Sequence, residues 1–279
     1  MPRTIHVAHS PDSDDAFMFY ALAEGLIDTG DVRYVHELSD IETLNRRALA
    51  GELEVSAVSI HAYAYLAQRY ALLSSGCSMG DGYGPRLVAR APRPQDPRAA
   101  LQGKRLAVPG TLTTAYLALR LYLPKFEPVV VPFDRIEEAV QGEEVDAGLL
   151  IHEGQLTYAD QGLHLWEDLG VWWLADTGLP LPLGGNVVRR DLGPELITRV
   201  SEDIRASVEY ALSHRGSALT HAARFNRGLS QERTDRFVGM YVNQWTVDYG
   251  ARGRKAVQML LDRGYAGRVI PEPVKVEFV

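Results

Sequence analysis

The chain has 279 residues, 46% of them hydrophobic and 23% charged, which is enough apolar material for one large α/β domain or about two ordinary ones. Its formal net charge of −7 excludes the electrostatic footprint of a non-specific nucleic-acid binder, and Arg46-Arg47 and Arg189-Arg190 are isolated basic pairs. Cys77 is the single cysteine, so there is no disulfide framework and no thiolate metal cage.

The first third alternates strand and helix. Met1-Pro2-Arg3-Thr4-Ile5 enters a strand directly, without the apolar core of a secretory signal, and no later apolar run reaches membrane-spanning length. The expectation is a cytoplasmic protein with no membrane insertion. Ile5 to Ala8 predicts a strand, Ser10-Pro11-Asp12-Ser13-Asp14-Asp15 a loop in which one acid caps the next helix, and Ala16 to Glu24 that helix. A second strand covers Arg33 to Leu38. Asp40 then stands as N-cap to a helix carrying Ile41, Leu44, Ala48 and Leu49 at helical spacing. Strand Val55 to Ile60 and helix His61 to Tyr70 complete a pattern that implies parallel strands with helices on their faces.

Three prolines in Pro92-Arg93-Pro94-Gln95-Asp96-Pro97 interrupt this pattern and mark a connection. The alternation restarts with strand Arg105 to Val108, helix Leu112 to Leu123, strand Pro128 to Val131, helix Asp134 to Gln141 and strand Ala147 to Ile151. A second break rich in proline and glycine spans Gly178 to Asn186. From Pro194 to about Arg263 the chain reads as helical. These blocks predict an α/β protein of two lobes: residues 1–91 form lobe one, 92–183 an inserted lobe two, and 184–279 a return crossover with C-terminal helices that pack on lobe one.

The strand Ala147 to Ile151 is apolar without alternation, as in a strand buried on both faces, and it ends in His152. Ligands of open α/β sheets collect beyond such carboxyl ends. His152 is therefore either a proton-transferring base facing a cleft or a capping histidine with its hydrogen bond satisfied. Val55 to His61 echoes the pattern, again ending in Ile-His. Pro109-Gly110-Thr111-Leu112-Thr113-Thr114-Ala115 lies between a strand and a helix, where hydroxyls and first-turn N–H groups make an anion seat or simply a threonine cap. Ser59 and Ser75-Gly76, near other strand ends, are its counterparts in lobe one.

Several sharper readings fail on spacing. The acidic loop from Asp12 has Phe17 where an EF-hand needs glycine and Ala23 where it needs glutamate. His6 and His9 fall on opposite faces of a strand, and His152-Glu153 lacks the second histidine of a zincin helix. No metal site and no cofactor are expected. Phe237, Tyr241 and Trp245 recur at i, i+4, i+8 and read as core packing.

Four segments in order, His9-Ser10-Pro11-Asp12-Ser13-Asp14-Asp15-Ala16-Phe17-Met18, Ser59-Ile60-His61-Ala62-Tyr63, Pro109 to Ala115, and Ile151-His152-Glu153-Gly154, resemble the 1,4-dihydroxy-6-naphthoate synthases, lyases of the futalosine route to menaquinone. The proline-rich return Leu181-Pro182-Leu183-Gly184-Gly185 fits the same pattern, so the resemblance spans most of the chain. It implies a periplasmic-binding-protein-like type II fold and the cleavage of cyclic dehypoxanthinyl futalosine to dihydroxynaphthoate and dihydroxyacetone. It also implies a base at His152 and ligand contacts at Ala57, Val58, Ser59, Thr113 and Thr114. Ser10, Asp12, Ser75 and Gly76 join the candidate ligand contacts. The partner expected is a small aromatic carboxylate, not nucleic acid. One departure is that members carry Pro-Asn-Asp-Thr-Phe where this chain has Ser13 to Phe17. Two rivals stand beside this reading: a chorismate dehydratase of the same pathway, and a solute-binding protein that performs no chemistry.

Overall fold

The structure is a computed structural model that describes residues 3–225 and 228–279. Strands β1 (Arg3–His9), β2 (Val32–Leu38), β3 (Val55–Ser59), β4 (Tyr70–Leu72) and β5 (Ser78–Gly80) belong to a first sheet. Strands β6 (Arg86–Ala89), β7 (Arg105–Val108), β8 (Glu127–Val130), β9 (Ala147–Leu150) and β10 (His164–Asp168) build a second, and β11 (Leu181–Arg189) returns to the first. The orders are β2-β1-β3-β11-β4, with β5 also on β11, and β10-β6-β9-β7-β8. Each sheet with its helices is one lobe.

The sheets are mixed rather than purely parallel. In lobe one β1 runs parallel to β2 and β3, and in lobe two β7 runs parallel to β8 and β9, because helical crossovers connect them. The strands that arrive from the other lobe have no such crossover. β11 is accordingly antiparallel to β3, and β6 is antiparallel to β9.

The helices follow local signals. Those between the strands are α1 (Ser13–Met18), α2 (Tyr20–Ala23), α3 (Ile41–Ala50), α4 (Ile60–Leu66), α5 (Pro97–Ala100), α6 (Thr114–Tyr122), α7 (Ile136–Gln141), α8 (Gly154–Thr157) and α9 (Leu169–Thr177). Asp40 caps α3 by accepting the Thr43 N–H at 3.0 Å, and Gly51 ends it at φ +77, a left-handed turn suited to glycine. α1 begins three residues earlier than the sequence predicts. Asp12 occupies its N-cap position but makes no capping bond, because its carboxylate is engaged elsewhere.

The C-terminal helices are α10 (Pro194–Ser213), α11 (Arg215–Ala222), α12 (Gln231–Tyr241), α13 (Gln244–Val247) and α14 (Gly250–Ala266). Residues 226 and 227 of the predicted helical tail lie outside the described residues. Val200, Ile204 and Val208 of α10 share a core with Ile5, Val7 and Phe17, which seats this tail on lobe one. α14 does something different. Its Leu260 and Leu261 join Ile60 and Tyr63 of lobe one and Leu106 and Leu117 of lobe two in one continuous apolar cluster. That shared core sets the two carboxyl-end faces against each other.

Candidate active site between the lobes

A cavity lies where the strand ends of the two lobes meet. Ser10 follows β1, Ser59 ends β3, Thr113 and Thr114 head α6, and His152 follows β9, and all five line it. Ala57, Val58, Asp12 and Gly76 line it as well. Ser75 does not: it is buried behind Gly76. Gly76 has φ +77, and a Cβ on it would lie 2.2 Å from the Asn186 amide nitrogen, so the close approach excludes a side chain.

Among the described residues His152 is the one imidazole that lines the cavity, and its ring is fixed from both sides. Its Nδ1 lies 2.8 Å from Asp12 Oδ2, and the Phe133 ring packs on it with centroids 4.0 Å apart. The same Asp12 oxygen accepts the Ser10 hydroxyl at 2.6 Å. A carboxylate that accepts from Nδ1 fixes the proton there and leaves Nε2 with its lone pair. Nε2 is buried and has no partner among the described residues. Asp12 is only 2% exposed, so its geometry is that of a support for the imidazole.

Around this pair lies a group of acids. Asp15 accepts the Ser10 N–H at 2.7 Å, and burial nevertheless pushes its carboxyl up to about 6. Burial, followed by the charges of Asp15, Asp12 and Glu153, raises the Asp14 carboxyl well above its ordinary value. Both line the cavity. Asp12, His152 and Glu153 also form a three-residue set, among the described residues, whose ligand-type atoms all lie within 4.8 Å of one another. Sequence spacing did not disclose this set, because Asp12 comes from the other lobe. A metal ion there would have to displace the 2.8 Å contact between Asp12 and His152.

The hydroxyls divide into spent and available. Thr113 Oγ1 donates to the Gly110 carbonyl and accepts the Tyr116 N–H as the cap of α6. Thr114 Oγ1 donates to the Leu183 carbonyl at 2.5 Å and accepts the His61 N–H. Both are satisfied within the protein, which corrects the expectation that these hydroxyls form the anion seat. What α6 still offers is its first-turn N–H groups, at Thr114 and Ala115, which by geometry have no intrahelical acceptor. One neighbouring donor is occupied by the protein itself: the Leu112 N–H bonds to Glu42 Oε2 at 3.2 Å, where Glu42 fills the space beside Gly110. Burial pushes the Glu42 carboxyl upward.

Ser59 is different. Asn45 donates to its oxygen at 3.1 Å, and Asn45 Oδ1 in turn accepts the Ser59 N–H. With its oxygen already accepting, Ser59 has its proton left to give. Opposite in chemistry is Asn186, which the sequence did not single out. Its amide nitrogen donates to the Gly76 carbonyl at 2.9 Å, while its buried Oδ1 has no protein partner. Gln155 and Tyr241 also line the cavity, joined by a 2.6 Å bond from the Tyr241 hydroxyl to Gln155 Oε1. Phe237 lines it too, so the aromatic stripe of α12 is cavity wall as well as core. Nothing in its helical spacing distinguishes those two roles.

The echo at His61 has another fate. This ring is 2% exposed, does not line the cavity, and its Nδ1 lies 3.2 Å from the Thr113 carbonyl. Burial lowers it to about 4, so it is neutral. His9, which is buried, and His36, which is half-buried, form a further pair, with His9 Nε2 3.1 Å from His36 Nδ1. Burial lowers them to about 3 and about 4.

Comparison with known proteins places the whole arrangement. The profile of a family described as menaquinone biosynthesis matches residues 5–266. A 1,4-dihydroxy-6-naphthoate synthase of Thermus thermophilus is 44% identical over 272 residues, covering 97% of this chain and 98% of the relative. One of Streptomyces coelicolor is 37% identical, covering 96% and 95%. The alkanesulfonate-binding protein SsuA of Xanthomonas axonopodis, crystallised with MOPS, superposes with a TM-score of 0.74 at 16% identity, covering 99% of this chain and 96% of that one. This last likeness establishes the two-lobed periplasmic-binding-protein-like fold. With the profile and both enzyme relatives matching over nearly its full length, the chain belongs to the menaquinone-biosynthesis family.

Proposed function

We propose that the protein is a 1,4-dihydroxy-6-naphthoate synthase that cleaves cyclic dehypoxanthinyl futalosine to dihydroxynaphthoate and dihydroxyacetone in the cytoplasm. The observation that carries this reading is the His152 imidazole, which lines the cavity with Nδ1 against Asp12 and with its Nε2 lacking a partner among the described residues. Cleavage with aromatisation of the ring system starts from removal of a proton, and a neutral imidazole is the side chain suited to accept it near neutral pH. The Thr114 and Ala115 N–H groups offer donors for the substrate carboxylate. Ser59 gives a hydrogen bond and Asn186 Oδ1 receives one, which orients a polyhydroxylated ligand. The apolar surfaces of Val58, Ile151, Leu183 and Phe237 suit a fused aromatic ring. The second lobe, built on β6 to β10, acts as the lobe that closes over it.

The test is incubation of the purified protein with cyclic dehypoxanthinyl futalosine, followed by absorption spectroscopy and mass analysis. The expected result is appearance of the naphthoate with release of dihydroxyacetone. Consumption of chorismate in its place would identify the dehydratase, and tight binding of the cyclic futalosine without turnover would identify a solute-binding protein. Either result overturns the proposal.

A further inference from the structure

We propose that Asp12 is a positioning residue, held by Ser10 on lobe one, that reaches across to lobe two and fixes His152 with Nε2 open to the substrate, so that the base is assembled where the lobes meet. This rests on the reading of His152 as base. The two halves come from distant parts of the chain: Asp12 from the loop after β1, and His152 from the end of β9. Asp12 Oδ2 accepts the Ser10 hydroxyl at 2.6 Å and lies 2.8 Å from His152 Nδ1. The Ser10 bond is local and belongs to lobe one alone, so it aims the carboxylate before the histidine arrives.

A second cross-lobe bond, from the Ser13 hydroxyl to Glu153 Oε1 at 3.3 Å, runs beside the first. It ties the adjacent residues on both sides, which fixes the approach of Asp12 to His152. On lobe two, His152 leans on Phe133, leaving Nδ1 directed at lobe one. The tautomer follows from the partner: a carboxylate oxygen beside Nδ1 favours the proton there, and the lone pair then sits on Nε2. In an isolated lobe two neither tautomer would be enforced. This explains why an acid that is almost wholly buried stands in the loop after β1, where it caps nothing.

The test compares Asp12→Ala, Asp12→Asn and Ser10→Ala with His152→Asn, using steady-state kinetics on cyclic dehypoxanthinyl futalosine and ¹⁵N NMR of the histidine rings with the naphthoate product bound. Asp12→Ala is expected to lower kcat on the order of 100-fold or more, the scale for losing an oriented base, with KM within about threefold. Asp12→Asn keeps an oxygen for Nδ1 but no charge, so it restores part of the rate. Ser10→Ala gives a smaller loss in the same direction and keeps the test open if Asp12→Ala fails to fold. The NMR spectrum should show His152 protonated at Nδ1 in the parent and a mixture of tautomers in Asp12→Ala. Wild-type kcat in Asp12→Ala, or a loss confined to KM, overturns the positioning role. His152→Asn separates the two claims. If it is inactive while Asp12→Ala is not, only the positioning role fails; if it retains wild-type turnover, the base itself is misassigned.

Discussion

Ile60-His61 and Ile151-His152 close two apolar strands with the same dipeptide, yet the two imidazoles have opposite chemistry. After β3 the chain turns helical at once, so His61 sits in the first turn of α4 and its ring points at the α6 turn. After β9 the segment 151–153 intervenes before α8, and that irregular turn swings His152 into the cavity. His61 meets a backbone carbonyl, while His152 meets a carboxylate. A carbonyl partner satisfies a neutral ring and asks nothing more of it. A carboxylate fixes the tautomer and stabilises the imidazolium that forms during proton transfer. Strand-end placement delivers a histidine to the lobe boundary, and its partner there, a backbone carbonyl for His61 and a carboxylate for His152, is what separates the two.

The largest expected difference between the two sites is in turnover. His152→Asn should lower kcat by about 10²–10⁴-fold, the usual share of a positioned base. His61→Asn should leave kcat within about threefold and raise KM, because the asparagine amide can still donate to the Thr113 carbonyl but packs less well against Tyr65 and Tyr116. Equal losses of kcat at both positions would break the comparison.

The second difference is in stability against pH. Folding holds His61 neutral down to about 4, whereas the unfolded side chain titrates near 6.5. Between those values the unfolded chain binds more protons, so the stability due to His61 falls as the pH falls. His9 and His36, lowered to about 3 and about 4, act in the same direction. Asp15 opposes them: raised to about 6, it gives stability below the ordinary carboxylate range that is lost as pH rises through 6. Comparing His61→Asn with the parent cancels Asp15 and isolates the histidine. Urea unfolding between pH 7 and pH 4.5 should show the parent losing on the order of 2–3 kcal/mol more than the variant. Parallel curves would show that His61 is not held neutral.

Much of this was legible in the chain. Apolar strands without alternation and the two proline-rich breaks disclosed two α/β lobes with a helical tail, and strand-end logic found His152, Ser59 and the α6 turn. Other features were hidden because sequence separation conceals contact. Asp12 and His152 are 140 positions apart, so nothing local could show that the carboxylate bonds the imidazole instead of capping α1. Asn186 looked like a residue of the return crossover, and Tyr241 like core, until β11 and α12 brought them to the cavity. The threonines were found for the right position but the wrong atoms. Both hydroxyls of Thr113 and Thr114 are consumed by capping and by contacts between segments, which hydroxyl-rich turns in a sequence do not disclose.

That distinction between spent and available hydroxyls gives the smallest effect, and it extends the comparison to the residues beside each histidine. Ser59 precedes Ile60-His61 and keeps a proton to donate, because Asn45 already occupies its oxygen. Ser59→Ala removes one neutral hydrogen bond to the ligand, worth about 0.5–1.5 kcal/mol, so KM should rise by roughly 2- to 12-fold with kcat and melting temperature little changed. Thr114→Ala removes bonds to His61 and Leu183 that exist without ligand. It should lower the melting temperature measurably, and its KM should rise only as far as the α6 N–H groups shift. If Ser59→Ala instead destabilises the fold while Thr114→Ala raises KM alone, the assignment is reversed: the threonine hydroxyl would be the ligand contact and the serine a structural bond within lobe one.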